Sequence, residues 1–151
     1  MQRSNPPTTS DTPGFAEEAR PTPFVDLATR LEREVESMIA GRGAEAAFLD
    51  TLLSHGFSRE ELFDLVVPRR TFARRRQTGR LSLEESDRAI RLARLTAMAE
   101  RVFGDFEKAH RWLRKPSRTV DGAVPLALLK TETGAYLVEQ TLHRIDYGML
   151  A

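Results

Sequence analysis

From about residue 24 onward the apolar residues recur at spacings of three and four, and no stretch alternates apolar with polar convincingly enough to make a strand. That periodicity belongs to helices that each bury one face, and it restricts the chain to an all-α fold. The run 83–103 is the longest case. Leu92, Leu95, Ala99 and Val102 share one face, and Ile90, Ala93 and Ala97 line a neighbouring one. Ser82 and Glu85 precede it at capping-box spacing, and Gly104 follows it. A helix with two apolar faces needs cover on both. It is expected to lie between a basic unit before it and the C-terminal part after it.

The other helices are bounded by similar punctuation. A first helix is predicted from Phe24 or Asp26, with Leu27, Leu31, Val35, Met38 and Ile39 as its stripe; Gly41 and Gly43 stop it. A second spans 44–54, with Phe48, Leu49, Leu52 and Leu53 buried, and closes at His55 and Gly56. Ser58 and Glu61 form another capping box, opening a short helix that buries Leu62, Leu65 and Val66. Pro68 suits the first turn of the next helix, which Gly79 ends. Asp105 caps a helix over 106–114, stopped by Lys115 and Pro116. A loop over 117–122 leads to a short apolar turn at 125–129. A last helix is predicted from near Thr133, burying Ala135, Val138, Leu142 and Ile145 and ending at Gly148. Residues 1–23 carry Pro6, Pro7, Pro13, Pro21 and Pro23 among small polar residues and read as a disordered arm.

Net charge is only +1 over 151 residues, so any basic function must come from local clustering. One cluster exists. Arg69, Arg70, Arg74, Arg75, Arg76 and Arg80 fall within 68–80 with no acid among them, and Phe72 is the natural anchor to the core. Two short helices joined tightly, the second basic, outline a helix-turn-helix. Arginine bonds guanine bidentately and neutralises phosphates, and a recognition helix reads bases from its N-terminal turns. Arg69, Arg70, Thr71 and Arg74 stand where such contacts are made. The competing reading is a charged face that is solvated or paired with acids elsewhere.

Other chemistry is absent from the sequence. There is no cysteine, which excludes disulfides, thiol catalysis and thiolate zinc sites. His55, His110 and His143 are the only histidines and lack metal-ligand spacing. No Gly-x-Ser-x-Gly motif or glycine-rich phosphate loop occurs. No enzyme, metal site or cofactor is therefore expected. With no apolar run of about 20 residues and no apolar signal-peptide core, a cytoplasmic protein is expected. The last residues, Met149, Leu150 and Ala151, are apolar. They either fold back onto the protein's own core or are offered to a partner.

From about residue 56 to 151 the chain resembles the antitoxins of the Xre/MbcA/ParS toxin-binding family, specifically Xre-type antitoxins paired with RES-domain toxins. The resemblance rests on RTFARR at 70–75, LSLEESDR at 81–88 with Arg91 and Leu92 after it, VFGD at 102–105 and AHRWL at 109–113. Pro125 and Leu126, Leu128 and Leu129, Thr133 and Gly134, Val138, Arg144 and Ile145, and Tyr147 and Gly148 complete the series in order. The stretch 119–124 departs: the family often has Leu-Gly-Gly before the proline, and Asp121 stands in place of a glycine.

This resemblance implies an all-α protein with a helix-turn-helix, here about 58–79 within a helical domain 24–103 that includes the long connecting helix, and a small toxin-binding domain, 104–151. It implies a homodimer and an antitoxin of a type II toxin-antitoxin system. The partner would be a RES-domain, NAD-consuming toxin whose active-site cleft is blocked by the C-terminal helix and tail. Toxin contact then falls to Arg144, Tyr147, Gly148, Met149, Leu150 and Ala151. Operator DNA contact, and with it autoregulation, falls to Arg69, Arg70, Thr71, Arg74, Arg75 and Arg76. The alternatives are a helix-turn-helix transcriptional regulator without a toxin partner and an adaptor that binds only protein.

Overall fold

The structure, a computed structural model, describes residues 23–149. Among the described residues there are eight α-helices and no strand: α1 (Pro23–Ile39), α2 (Ala47–Ser54), α3 (Arg59–Leu65), α4 (Arg69–Thr78), α5 (Leu83–Phe103), α6 (Phe106–Arg114), α7 (Pro125–Leu128) and α8 (Glu132–Asp146). A single 3-10 turn spans Arg118–Val120. Of the expected arm only Pro23 is described, and it opens α1; Leu150 and Ala151 also lie outside the described residues.

The axis of the molecule is α5. Its 21 residues span about 30 Å at 1.5 Å per residue. Both halves of its capping box form: Glu85 N–H donates to Ser82 Oγ (3.1 Å) and Ser82 N–H to Glu85 Oε2 (2.8 Å). Its main cover comes from α1, α6 and α8. Of the basic unit expected beside it, α3 packs on α5 and α4 is tied to its start by Arg75 and Glu85, but α1 supplies more of the cover. The reason is that α4 buries only Phe72 and has little apolar surface to offer. One contiguous core runs through Leu27, Phe48, Leu52, Leu62, Leu92, Leu95, Leu113, Val138 and Leu142. Burying each such side chain is worth about 1.5–3 kcal/mol relative to leaving it exposed.

The predicted elements shift at three places. α2 starts at Ala47 rather than Ala44. The Ala46 N–H bonds the Gly79 carbonyl (2.9 Å) and the Leu81 N–H bonds the Ala44 carbonyl (3.0 Å), so this stretch pairs with the chain beyond α4 instead of coiling. Pro68 is the N-cap of α4 and not part of its first turn. α8 starts at Glu132, capped by Thr131, whose Oγ1 accepts the Gly134 N–H at 3.0 Å. Gly134 is required there: a Cβ would stand 2.0 Å from the Leu128 carbonyl oxygen, so any side chain would push α7 off α8. In the divergent loop Asp121 takes a left-handed conformation (φ 55°), which aspartate tolerates better than most residues. No helix among the described residues is long and apolar enough to cross a membrane.

Candidate functional site

Helices α3 and α4 are short and tightly joined, in the outline of a helix-turn-helix. The capping box of α3 is complete, with Glu61 N–H to Ser58 Oγ (3.1 Å) and Ser58 N–H to Glu61 Oε2 (2.9 Å). Phe72 anchors α4, its ring edge-on to Phe63 at 5.2 Å. Helices α2, α3, α5, α6 and α8 each carry an acid in the first turn, but α4 has none and begins with Arg69 and Arg70. Cations at a helix N-terminus oppose the macrodipole, at a cost of about 0.3–1 kcal/mol each. The same arrangement makes an electropositive end that suits phosphate.

The α4 arginines have separate fates. Arg70 and Arg74 are exposed and have no ion-pair partner among the described residues. Ala73 and Gln77, also exposed, share their face. Arg69 pairs with Glu60 (2.7 Å), with both side chains more than 70% exposed, and lies over the Phe63 ring. Arg76 pairs with Asp50 (2.9 Å) over the Phe72 ring. Thr71 is half-buried. Arg75 is a structural tie: its Nε donates to Glu85 Oε2 at 2.7 Å, joining α4 to the start of α5. Burial pushes the Glu85 carboxyl up, but the Ser82 N–H and Arg75 more than offset this and hold it below the ordinary range. Gln77 falls three residues after Arg74 and seven after Arg70.

The C-terminal helix buries Ala135, Val138 and Leu142, with Ile145 half-buried. Its last turn ends in a Schellman motif. Gly148 adopts φ 68°, its N–H bonds the Ile145 carbonyl (3.0 Å), and the Met149 N–H bonds the Arg144 carbonyl (2.8 Å). Tyr147 is 76% exposed and Met149 69% exposed, so Met149 does not fold back onto the core. Arg144 is exposed and makes no ion pair among the described residues. Asp146 pairs with Arg101 (3.1 Å), which sets this end of α8 beside the end of α5.

A buried polar hub ties α2 and α3 to α5 and α6. His55 Nε2, at the end of α2, and His110 Nε2, on α6, lie 2.6 and 2.7 Å from the same oxygen, Oε1 of Glu100 on α5. Arg114 Nη1 lies 2.9 Å from His110 Nδ1. A guanidinium only donates, so Nδ1 accepts and the ring hydrogen sits on Nε2, aimed at Glu100. Burial pushes the Glu100 carboxyl up, but the hydrogen bonds from His110 and His55 prevail and hold it below its ordinary value. Arg114 also forks onto Glu61 (Nε 2.7 Å, Nη2 3.0 Å) and bonds the Gly56 carbonyl (2.9 Å). The cap of α3 is thereby tied to α6.

Two histidines and a carboxylate within 4.8 Å are also a plausible ligand set for a metal. To ligate through Nε2, however, His110 would have to move its hydrogen to Nδ1, facing the Arg114 donor. As arranged, the trio is a hydrogen-bonded hub. Sequence spacing could not disclose it, because His55 and Glu100 are 45 residues apart.

A helix-turn-helix unit joined by one long helix to a small helical unit with an exposed apolar end defines a two-part, all-helical binding protein. Comparison with known proteins makes this specific. Residues 38–94 match the antitoxin Xre-like helix-turn-helix domain, and residues 98–148 match the antitoxin Xre/MbcA/ParS C-terminal toxin-binding domain. The chain is 39% identical over 107 residues to antitoxin Xre of Pseudomonas putida, covering 70% of this chain and 67% of that one. It is 37% identical over 87 residues to antitoxin Xre of Yersinia enterocolitica, covering 56% of this chain and 59% of that one. For antitoxin Xre of Photorhabdus laumondii the figures are 34% over 74 residues, 48% and 50%. The chain belongs to the Xre antitoxin family.

Proposed function

We propose that this antitoxin neutralises a RES-domain, NAD-consuming toxin by lodging its C-terminal end in the toxin's active-site cleft. It also binds operator DNA through α4 and acts as a homodimer. The observation that carries the toxin reading is the exposed apolar turn at Tyr147 and Met149, held clear of the core by the Schellman motif. Aromatic and apolar groups that stay in water at a helix end, beside an unpaired arginine, are the anchors helix-in-groove recognition uses. Toxin contact is assigned to Arg144, Tyr147, Gly148, Met149, Leu150 and Ala151.

On α4 the operator-reading face is Arg70 and Arg74, with Gln77 added. Arg69 and Arg76 are available once their exposed pairs open, since such pairs are worth only about 0–1 kcal/mol. Thr71 stands at the margin of this face. Arg75 supports the helix rather than the DNA.

Deleting residues 149–151 tests the occlusion mechanism. The truncated chain, co-expressed with a cognate RES-domain toxin, is expected to restore NAD consumption. Operator binding is expected to be unchanged. Full inhibition by the truncated chain would rule out occlusion by the tail.

A further inference from the structure

A second feature lies at the same end of the molecule as the tail. Phe103, the last residue of α5, and Trp112 of α6 lie with ring centroids 5.5 Å apart and planes tilted by 44°, and both line an open pocket of about 340 Å³. Lys108, Arg111 and Lys115 rim it. All three are exposed and have no ion-pair partner among the described residues, whereas their neighbours Arg101 and Arg114 are paired. Glu107 is the only acid on α6. The cations at the end of α6 agree with its dipole, but Lys108 stands in the first turn, where a cation opposes it. At spacings of three and four, residues 108, 111, 112 and 115 share one face. Three unpaired cations thus surround an aromatic pair.

The pocket lies away from the basic helix. α4 is tied to Glu85 at the start of α5, and Phe103 lies 18 residues further on, about 27 Å along the helix axis. The pocket instead lies wholly within residues 98–148, the stretch that matches the toxin-binding domain. We infer that it is a second docking site for the toxin, receiving an acidic segment that carries an aromatic or aliphatic side chain. The carboxylates meet Lys108, Arg111 and Lys115, and the apolar group covers the Phe103–Trp112 pair. This rests on the toxin-binding reading and adds a contact away from the cleft. Its contribution goes chiefly into association and affinity, while occlusion remains with the tail.

The chain has a single tryptophan, so 5-fluorotryptophan labelling reports on this pocket alone by fluorine NMR. Adding the toxin is expected to shift the Trp112 resonance both in the full chain and in the chain lacking 149–151. The triple variant Lys108→Glu, Arg111→Glu, Lys115→Glu is expected to bind toxin about 10- to 100-fold more weakly, with a flatter salt dependence. Saturating amounts should still inhibit NAD consumption. Circular dichroism checks that the variant is folded, and Arg111→Glu alone gives a milder version. An unmoved Trp112 resonance in the complex, or unchanged affinity and salt dependence in the variants, overturns the inference and leaves the tail mechanism standing. A resonance that moves with operator DNA, or with protein concentration alone, also overturns it, assigning the pocket to nucleic acid or a second copy. If the unaltered chain fails to bind the toxin at all, the toxin-binding reading falls, and the pocket's role with it.

Discussion

Along α4, Arg75 reaches Glu85, Arg76 reaches Asp50 and Arg69 reaches Glu60, whereas beyond the last turn of α8 Tyr147 and Met149 stay in water. Both regions stand out in the sequence by composition, the first by charge and the second by greasiness. The difference lies in what the rest of the surface can supply. In a chain that is 30% charged, an arginine has carboxylates within reach on many sides. A run of arginines therefore overstates the charge left for a partner. An exposed methionine can be satisfied only by apolar cover, and Val138 and Leu142 already fill the core behind it. Unsatisfied apolar surface next to a defined turn is thus the sharper pointer to binding.

The most severe test asks whether the two regions are separable at all. Glu100→Ala strands two buried histidine side chains and is expected to cost about 1–3 kcal/mol for each group left unpaired, lowering Tm and weakening operator and toxin binding together. Loss of one function without the other would show that the hub does not join them. The pH dependence carries a definite sign. The Glu100 carboxyl is depressed in the folded state relative to an ordinary 4.5. Its stabilisation is therefore complete above that value and lost as pH falls through the lower folded value. Glu61 and Glu85 are depressed in the same direction, so Glu100→Gln should flatten the acid limb of Tm against pH only in part.

A smaller effect sharpens the contrast. The double variant Arg70→Ala, Arg74→Ala should weaken operator binding about 10- to 100-fold and lower the salt slope by about 2, with toxin inhibition intact in the NAD assay. Full operator affinity would place the reading face elsewhere. Smallest is Arg76→Ala, which removes an exposed pair and should change stability by less than about 0.5 kcal/mol. A tenfold loss of DNA affinity there, in an electrophoretic shift assay, would show that the Asp50 pair opens on binding.

What the sequence disclosed was mostly local. The capping boxes at Ser58 and Ser82, the stops at Gly79 and Gly104 and the buried stripe of α8 follow from spacings within a few residues, and the structure bears them out. The misread start of α2 depends on pairing with residues beyond α4, which periodicity cannot register. The same holds for the arginine partners: Asp50 belongs to α2 and Glu85 to the cap of another helix. Trp112 is half-buried and packs against the core from one side, an intermediate placement that residue type alone does not register.

The two matched regions meet between residues 94 and 98, inside α5, yet the hub straddles that seam. His55 and Glu61 belong to the first half, Glu100, His110 and Arg114 to the second. A recombinant gene crossing over at this junction would keep the helix continuous and still fail if its parents disagreed at those five positions. Exchange of the helix-turn-helix or toxin-binding module is therefore expected to succeed only between parents that share this lock. In such lineages the five residues should be inherited as a block.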